Sequence, residues 1–305
     1  MPETIAQEPL RVLQLSDGKA GHENQAAGLL QALQAHRRLD VEKLSVASKW
    51  GALLRAPRPS RVQTPDLIIG AGNRTHFALL RCRQRYGGKA VVLMKPSLPL
   101  SLFDACIIPA HDTPPARDNV FISQGALNSM SAEGEHAPDK TIVLLGGPSK
   151  HYRWDNQRVL EQVSTIATHA PGAHLVLAGS RRTPPQLLDQ LRTAEIANAE
   201  VVPVEDTGPG WLREQLAASA HCWVSPDSVS MVYEALTAGV AVGLLSLDEM
   251  GQSRVARGIE GLVTNGQVRP YDAWLSDPTL PQAAPINEAG RCAQWILERW
   301  PGLGA

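Results

Sequence analysis

Short apolar runs alternate along the chain with segments whose apolar residues recur at the helical period. The first run, "LRVLQLS" (10–16), has the length of a strand, and Ala26, Leu29, Leu30 and Leu33 follow it at helical spacing. Nearly continuous apolar strands of this kind are typical of a parallel sheet that is buried on both faces. Further strands of the first half are predicted at "DVEKLSV", "DLIIG", "AVVLM", "ACIIP" and "VFIS".

A polar stretch without an apolar period, "NSMSAEGEHAPDK" (128–140), separates two halves of similar design. Two consecutive βαβ series predict two Rossmann-like, doubly wound α/β domains that face a central cleft, with ligands beyond the carboxyl ends of the strands. The strands of the second half are predicted at "TIVLLGG", "HLVLAGS", "EVVPV", "HCWVS" and "AVGLLSL". The predicted division is an N-terminal domain 1–130, a linker 131–140, a C-terminal domain 141–286 and a closing helix 287–305, a candidate to cross back to the N-terminal domain.

Composition describes an ordinary globular protein. Of the 305 residues, 43% are hydrophobic and 19% charged, and the net charge of -1 leaves no basic footprint for nucleic acid. The N-terminus "MPETIAQEPL" lacks the pattern of a secretory signal, and the most apolar window, 235–247, is shorter than the roughly 20 residues that span a bilayer. The four cysteines are scattered without metal-ligand spacing, which fits buried thiols in a reducing compartment. We therefore expect a cytoplasmic protein.

Five loops at predicted strand ends are rich in glycine or polar residues. Glycines let backbone N–H groups approach an anion, and the helix that follows presents its positive end. A plain turn explains any one loop equally well, but five together favour a ligand site. Two phosphate fingerprints are absent, because Ala20 follows Lys19 where a P-loop needs Ser or Thr, and the strand after Gly70 and Gly72 leads into Lys95 rather than an acidic residue. The loops are "SDGKAGHENQ" (16–25), "GAGNRTH" (70–76), "LGGPSKHYRW" (145–154), "AGSRRTPP" (178–185) and "SPDSVSMVYEA" (225–235).

The last of these loops runs into a helix with polar residues along one face. Asp227, Ser230 and Glu234 are spaced by three and four residues, beside an apolar stripe. A carboxylate a turn or more inside a helix does not cap it. Glu234 is therefore expected to accept hydrogen bonds from the two hydroxyls of a ribose, with Ser228 and the first-turn N–H groups near a diphosphate. The alternative, a glutamate solvated on a surface helix, is disfavoured by the apolar segment around it.

These motifs resemble two families. "GKAGHENQAAGL" and "SPDSVSMVYEALTAG" are similar to glycosyltransferases of the GT-B fold, among them the transferases that add N-acetylglucosamine to form lipid II. A closer resemblance, over nearly the whole chain, is to the mitochondrial-fission Elm (elongated mitochondria) family of plants and their bacterial relatives. Its motifs are "SDGKAGHENQ", "KPSLP", "GGPSKHYRW" and "SPDSVSMVYEA". The resemblance implies a GT-B architecture and transfer of a sugar from UDP-sugar or another nucleotide sugar to a cell-envelope glycan or lipid.

The resemblance further implies that the C-terminal domain binds the donor. Arg181 would add a cation near the leaving diphosphate, unless it is simply a solvated loop arginine. No DxD-like motif is evident, so neither a metal nor another cofactor is expected. The residues expected to bind the donor nucleotide are Gly146, Gly147, Ser149, Lys150, Arg181, Asp227, Ser228, Ser230 and Glu234.

The N-terminal domain would take the acceptor. His22 is a candidate base, since an imidazole can deprotonate a hydroxyl near neutral pH, and Asp17 is the second candidate. A structural role for His22 at the helix start is weighed equally. The charged "DGKAG" replaces the paired glycines of the lipid II enzymes, so a different acceptor is expected. Residues expected to face the acceptor or the cleft are Lys19, Asn24, Gln25, Asn73, Thr75, His76, Lys95 and Ser97, with His111 and Asp112 as further candidates.

Three functions stay open at this point. They are an inverting glycosyltransferase, a sugar-nucleotide 2-epimerase or hydrolase on the same fold, and a non-enzymatic interaction protein of the Elm type. Retention of His22, Glu234 and the glycine-rich loops favours an enzyme, since a scaffold has no use for them. The expected partners are a nucleotide-sugar donor and a glycan or lipid-linked acceptor, without nucleic acid, and peripheral association with the inner membrane is an additional option.

Overall fold

The computed structural model describes residues 8–46, 56–62, 64–251 and 253–303. The chain divides into two compact units. Unit 1 consists of Met1–Ser129 together with Asn287–Ala305, and unit 2 consists of Met130–Ile286.

Unit 1 is a parallel six-stranded sheet with the strand order β2-β1-β3-β4-β5-β6. The chain runs from β1 outward to β2 and then returns to the other side of β1 for β3, so the sheet has its switch point between β1 and β3. Two 3₁₀ turns, Leu100–Leu102 and Ala110–Asp112, follow β4 and β5. The strands are β1 Leu10–Ser16, β2 Leu39–Ser45, β3 Leu67–Ala71, β4 Lys89–Leu93, β5 Ala105–Pro109 and β6 Val120–Ser123; the helices are α1 Ala20–Gln34, α2 His76–Tyr86 and, from the end of the chain, α9 Glu288–Arg299.

Alternate residues of each strand in unit 1 enter different cores. Val12 and Ile69 belong to the cluster that α1 and α9 cover, whereas Leu13 and Ile68 belong to the cluster that α2 covers. Burial of both faces explains why these strands are almost continuously apolar in sequence.

Unit 2 repeats this plan with the order β10-β9-β7-β11-β12-β14, all parallel, and its switch point lies between β7 and β11. Beyond this sheet, β8 (Tyr152–Arg153) pairs antiparallel with β13 (Asp248–Glu249). A 3₁₀ turn, Val204–Asp206, follows β10. The other strands are β7 Ala137–Leu145, β9 His174–Gly179, β10 Ala199–Val202, β11 Ser219–Val224, β12 Ala241–Leu244 and β14 Arg269–Pro270; the helices are α3 Asn156–His169, α4 Pro185–Thr193, α5 Trp211–Ala218, α6 Val229–Ala238, α7 Arg254–Thr264 and α8 Tyr271–Ser276.

Two parallel six-stranded sheets with helices on both faces confirm the predicted fold class of two Rossmann-like α/β domains. Strand β7 begins at Ala137, so its first four residues lie in the segment predicted as a linker. These four residues are exposed or partly buried, whereas the rest of the strand is buried. The sequence "APDK" contains no apolar pattern that would predict this part of the strand.

Candidate functional site

The catalytic candidates of unit 1 lie at its switch point. The loop after β1 turns at Gly18, whose φ is +77°, and leads into α1, which begins at Ala20. The loop after β3 contains Gly72 with φ +81°. Because β1 and β3 are neighbours in the sheet, these two loops meet at its carboxyl edge.

His22 and Asp17 form one hydrogen-bonded pair. The Nδ1 atom of His22 lies 3.0 Å and 3.1 Å from the two carboxylate oxygens of Asp17. The Asp17 side chain is fully buried, the His22 side chain is 18% exposed, and the Lys19 N–H donates to the same carboxylate at 3.2 Å. An ionised carboxylate only accepts hydrogen bonds, so a neutral imidazole in this pair has its proton on Nδ1 and its lone pair on Nε2. In this arrangement the two candidate bases form one hydrogen-bonded unit, in which the Asp17 carboxylate holds the imidazole in one orientation.

Gly72 leaves room for the imidazole of His22. A Cβ atom at this position would overlap Cε1 and Nδ1 of His22. The ring therefore lies directly against the backbone of the loop after β3, and only a residue without a side chain allows this contact.

Glu23 also fixes the loop after β1, and no prediction from the sequence includes it. It accepts hydrogen bonds from the Ser16 hydroxyl and the Lys43 ammonium, and Ser16 in turn accepts one from the Gly18 N–H at 3.1 Å. No sequence signal distinguishes Glu23 from a solvated helix residue, because its partners come from β1 and β2.

The other predicted liners of unit 1 divide into exposed and internal residues. Thr75 is buried and donates to the Gly72 carbonyl at 2.9 Å, and Asn24 accepts from the Ser129 hydroxyl at 2.9 Å. Lys95 donates to the Asp112 carbonyl at 2.9 Å. The exposed residues are Lys19, Asn73, Lys95 and Ser97, and the buried ones are Gln25, Thr75, His76 and Asp112, with His111 partly buried.

In unit 2 the loops after β7 and β11 are tied to each other at the switch point. The Gly146 N–H donates to the Ser225 hydroxyl at 2.7 Å, and the Gly147 N–H donates to Oδ2 of Asp227 at 3.1 Å. A Cβ at Gly146 would overlap the Asp227 carboxylate. The two glycines thus serve close packing of the loops. Their amides, expected from the sequence to bind the donor nucleotide, already have partners within the chain.

The arginine that reaches this cluster is Arg182. Its Nη1 lies 2.6 Å from Oδ2 of Asp227 and donates to the Gly147 carbonyl at 3.1 Å. Its predecessor Arg181, predicted for this place, is exposed at the loop surface, as is Lys150. Ser149 is used locally, where its hydroxyl accepts the N–H groups of two following residues at 3.1 and 3.2 Å.

Glu234 lies on helix α6 of unit 2, and this helix begins without a side-chain cap. Ser228 stands at its N-cap position, but the Ser228 side chain accepts no hydrogen bond from the first turn of the helix. In the same unit Asp155 caps α3, whereas α4, α5 and α8 also begin without a side-chain cap. Ser230 is exposed, whereas Glu234 is buried at 9% exposure, so the alternative of a solvated glutamate does not describe it. An uncapped helix start offers free N–H groups and a positive dipole end to an anion.

Burial suppresses the reactivity of other groups that could act in catalysis. All four cysteines are buried, and burial raises the pKa of the Cys82 and Cys106 thiols to about 12. Burial, with the negative charges of Glu249 and Asp227, raises the pKa of Tyr152 far above its ordinary value. The described part of the chain contains no cluster of three or more residues suited to hold a metal ion. Over the same residues, no helix combines the length and apolar character needed to cross a membrane.

Comparison with known proteins decides the family. Residues 20–300 match the family described as mitochondrial fission ELM1, which spans nearly the whole chain. The chain belongs to the mitochondrial fission ELM1 family. This confirms the closer of the two resemblances noted in the sequence. A relative of this chain, the uncharacterized protein RP120 of Rickettsia prowazekii (strain Madrid E), is 24% identical over 283 residues, 76% of this chain and 79% of that protein.

Solved structures place this ELM1 family member in the GT-B fold. MurG of Acinetobacter baumannii aligns over 95% of this chain and 100% of its own, with a TM-score of 0.53 and 13% identity. The UDP-GlcNAc 2-epimerase of Neisseria meningitidis, in a structure bound to UDP-GlcNAc, aligns over 94% and 98% with a TM-score of 0.56 and 12% identity. At such identities the likeness establishes the shared fold of the ELM1 chain and leaves its reaction to be argued from its residues.

Proposed function

We propose that this ELM1 family chain is a metal-independent glycosyltransferase, with the nucleotide-sugar donor bound by unit 2 and the base supplied by unit 1. The observation that carries the proposal is Glu234, a buried carboxylate one turn inside a helix whose start is uncapped. A carboxylate accepts two hydroxyl hydrogen bonds, and a free helix start binds an anion, so together they suit the ribose and diphosphate of a nucleotide.

The pair in unit 1 supplies the chemistry that sugar transfer needs. Nε2 of His22 takes the proton of an acceptor hydroxyl, while Asp17 stabilises the imidazolium that forms. The acceptor oxygen then forms a bond to the anomeric carbon of the donor. The bond from that carbon to the diphosphate breaks, and the nucleoside diphosphate leaves with the electron pair. A single displacement of this kind inverts the anomeric centre, and we propose a cell-envelope glycan or lipid as the acceptor.

The same-fold epimerase or hydrolase is the less favoured reaction. Proton abstraction at carbon requires several acid and base groups around one sugar. His76, a sequence candidate for such a group, is 1% exposed, 3.3 Å from the Ser97 hydroxyl and in edge contact with Phe103. This burial favours a structural role for His76 and therefore supports the transferase.

Ligand-induced stabilisation tests the donor site. UDP and UDP-GlcNAc are the first probes, because the Neisseria protein of the same fold binds UDP-GlcNAc. A ligand at one hundred times its Kd adds about 2.7 kcal/mol of stability, which raises Tm by several degrees. Wild type should show this shift, and Glu234→Gln should lose it, since an amide replaces the second acceptor oxygen that the ribose needs.

Glu260→Gln is the matched control, because Glu260 is an exposed glutamate on α7 of the same unit. It should keep the full shift. If no nucleoside diphosphate stabilises the wild type, the donor site is refuted and a non-enzymatic interaction protein becomes the better description. If UDP stabilises Glu234→Gln as well as wild type, the assignment of the ribose to Glu234 is refuted.

A further inference from the structure

We infer that Arg182 binds the phosphate groups of the donor through the free side of its guanidinium, and that buried Asp227 is the residue that positions it. The inference rests on the proposed nucleotide-sugar function and names two residues of that site. From the sequence, Asp227 is expected to contact the donor and Arg181 to supply the cation.

The guanidinium of Arg182 is held on one side only. Nη1 is engaged by Oδ2 of Asp227 at 2.6 Å and by the Gly147 carbonyl at 3.1 Å. Within the described residues, Nε and Nη2 have no hydrogen-bond partner, and the side chain is 41% exposed. Three N–H donors in a planar fork therefore remain, which is the arrangement that binds a phosphate in bidentate fashion.

Asp227 is built into the unit and cannot itself be the ligand's partner in this state. Its side chain is fully buried, its carboxylate lies against the Cα of Gly146, and its Oδ2 also accepts the Gly147 N–H at 3.1 Å. The carboxylate thus joins the loops after β7, β9 and β11 at the switch point. An arginine fixed by such a group loses little further freedom when an anion binds.

Stability alone does not explain this carboxylate. Its other oxygen, Oδ1, is buried and has no hydrogen-bond partner among the described residues. A buried charge that is only half satisfied costs stability, and an apolar contact at the same place would avoid that cost. The role that we assign to the carboxylate is to orient Arg182.

The three loops that Asp227 joins carry a net positive charge. The loops 146–150, 180–184 and 225–228 carry the cations Lys150, Arg181 and Arg182 and the single carboxylate of Asp227, a net charge of +2. A partly exposed cation beside an uncapped helix start attracts an anion with two or more charges.

Calorimetric titration of the whole chain with UDP, uridine and inorganic pyrophosphate tests the inference. Arg182→Ala should weaken the binding of UDP and of pyrophosphate by about 10- to 100-fold and leave the affinity for uridine unchanged. Only the phosphate groups lose hydrogen-bond donors in this variant. Arg182→Lys should reduce the affinity for the same two ligands at least several-fold, since an ammonium group cannot form two parallel hydrogen bonds to a phosphate. Arg192→Ala, at an exposed arginine paired with Asp189 on α4, is the control and should match wild type.

Non-additivity tests the positioning role of Asp227. Asp227→Asn keeps the shape beside Gly146 but removes the charge that holds Arg182. As a single change, Asp227→Asn should weaken UDP binding. Combined with Arg182→Ala, it should weaken UDP binding no further than Arg182→Ala alone, whereas a purely structural defect would add to the loss. Tighter pyrophosphate binding by Asp227→Asn would show that the carboxylate only repels anions and would overturn the positioning role.

The two levels of the proposal fail differently. If wild type binds pyrophosphate but no nucleotide, and Arg182→Ala loses pyrophosphate, the phosphate site stands and the nucleotide-sugar function falls. If Arg181→Ala weakens UDP more than Arg182→Ala does, or if wild type binds neither UDP nor pyrophosphate, the role of Arg182 is overturned.

Discussion

A single methyl group decides whether the imidazole of His22 can keep its place against the loop after β3. Gly72 has φ +81°, and a Cβ there would overlap the ring. Gly72→Ala should push the ring away from Asp17 and lower the rate of sugar transfer by about 10²-fold, the scale of a misplacement near 1 Å. The affinity for UDP should not change, because the proposed donor residues all lie in unit 2. Transfer rates and long-range ¹H–¹⁵N spectra of the imidazole, which report the protonated nitrogen, measure both effects.

Gly21→Ala is the control for this change. Gly21 lies in α1 next to His22, has open space around its Cα and tolerates a methyl group in a helix. Its transfer rate should equal that of wild type. A Gly72→Ala protein that keeps both its turnover and a Nδ1-protonated ring would show that the close contact with Gly72 has no part in orienting the base.

Residue types were predictable here, and residue pairings were not. The sequence singles out His22, Asp17 and Glu234 because polar groups at strand ends and inside an apolar helix stand out. It treats His22 and Asp17 as competing bases, since their hydrogen bond depends on the turn at Gly18. It points to Arg181, whereas contact of the neighbouring Arg182 with Asp227 depends on a residue 45 positions further along the chain.

Among the secondary-structure elements, β2 carries a carboxylate that holds a later segment in place. Glu42 accepts hydrogen bonds from the N–H groups of Ser60, Arg61 and Val62 and from the Ser60 hydroxyl, at 2.6 to 2.8 Å. Burial alone would raise its pKa, but these four donors outweigh burial and lower the pKa to about 2. The carboxylate therefore binds the segment 56–62 to the edge of the sheet.

Glu42→Gln should destabilise the protein by about 1–3 kcal/mol at neutral pH, since an amide oxygen replaces a charged acceptor. The pKa in the folded state is lower than the ordinary value of 4.5, so the contribution is fully present above that value and is lost as the pH falls towards 2. The free energy difference between wild type and Glu42→Gln, from urea unfolding, should therefore be constant from pH 7 to 5 and shrink below pH 4.

Asp40→Asn on the same strand is the comparison for Glu42→Gln. Asp40 pairs with Arg61 at 2.9 Å, but both side chains are solvent-exposed. This change should cost less than about 1 kcal/mol. Equal losses for the two variants, or a loss for Glu42→Gln that persists unchanged at pH 3, would show that the donors around Glu42 do not stabilise its charged form.

Elements with a strong apolar period were predictable, while those defined by contact alone were not. Apart from β2, whose apolar and polar residues alternate, and the polar start of β7, the long strands of both sheets fall on apolar runs of the sequence. The two-residue strands β8 and β13 have no pattern of their own, because they exist only through pairing with each other. Glu42 similarly looks like the solvent-facing residue of an alternating strand until the segment 56–62 returns to cover it.

At the scale of the whole molecule, unit 1 is assembled from both ends of the chain. Helix α9 contributes Cys292, Ala293 and Ile296, all fully buried, to the core that also holds Val12 of β1. The Gln124 N–H donates to the Glu288 carboxylate at 2.8 Å, which fixes the start of α9 beside β6. The amphipathic period of 287–300 predicts a helix, but the period does not specify which core the helix covers.

Truncation of the Ile296 side chain in α9 should therefore loosen strands that lie 225 to 286 residues earlier in the sequence. Ile296→Ala should cost about 2–5 kcal/mol, the usual range for a large-to-small change in a closed core. Hydrogen exchange followed by mass spectrometry should show faster exchange in β1 and β3 and unchanged exchange in β7 and β11, because the two units have separate cores. Gln294→Ala, at an exposed position of the same helix, should alter neither set. Faster exchange in both sets after Ile296→Ala would mean that the chain unfolds as one cooperative body, and the last helix would then stabilise unit 2 as much as unit 1.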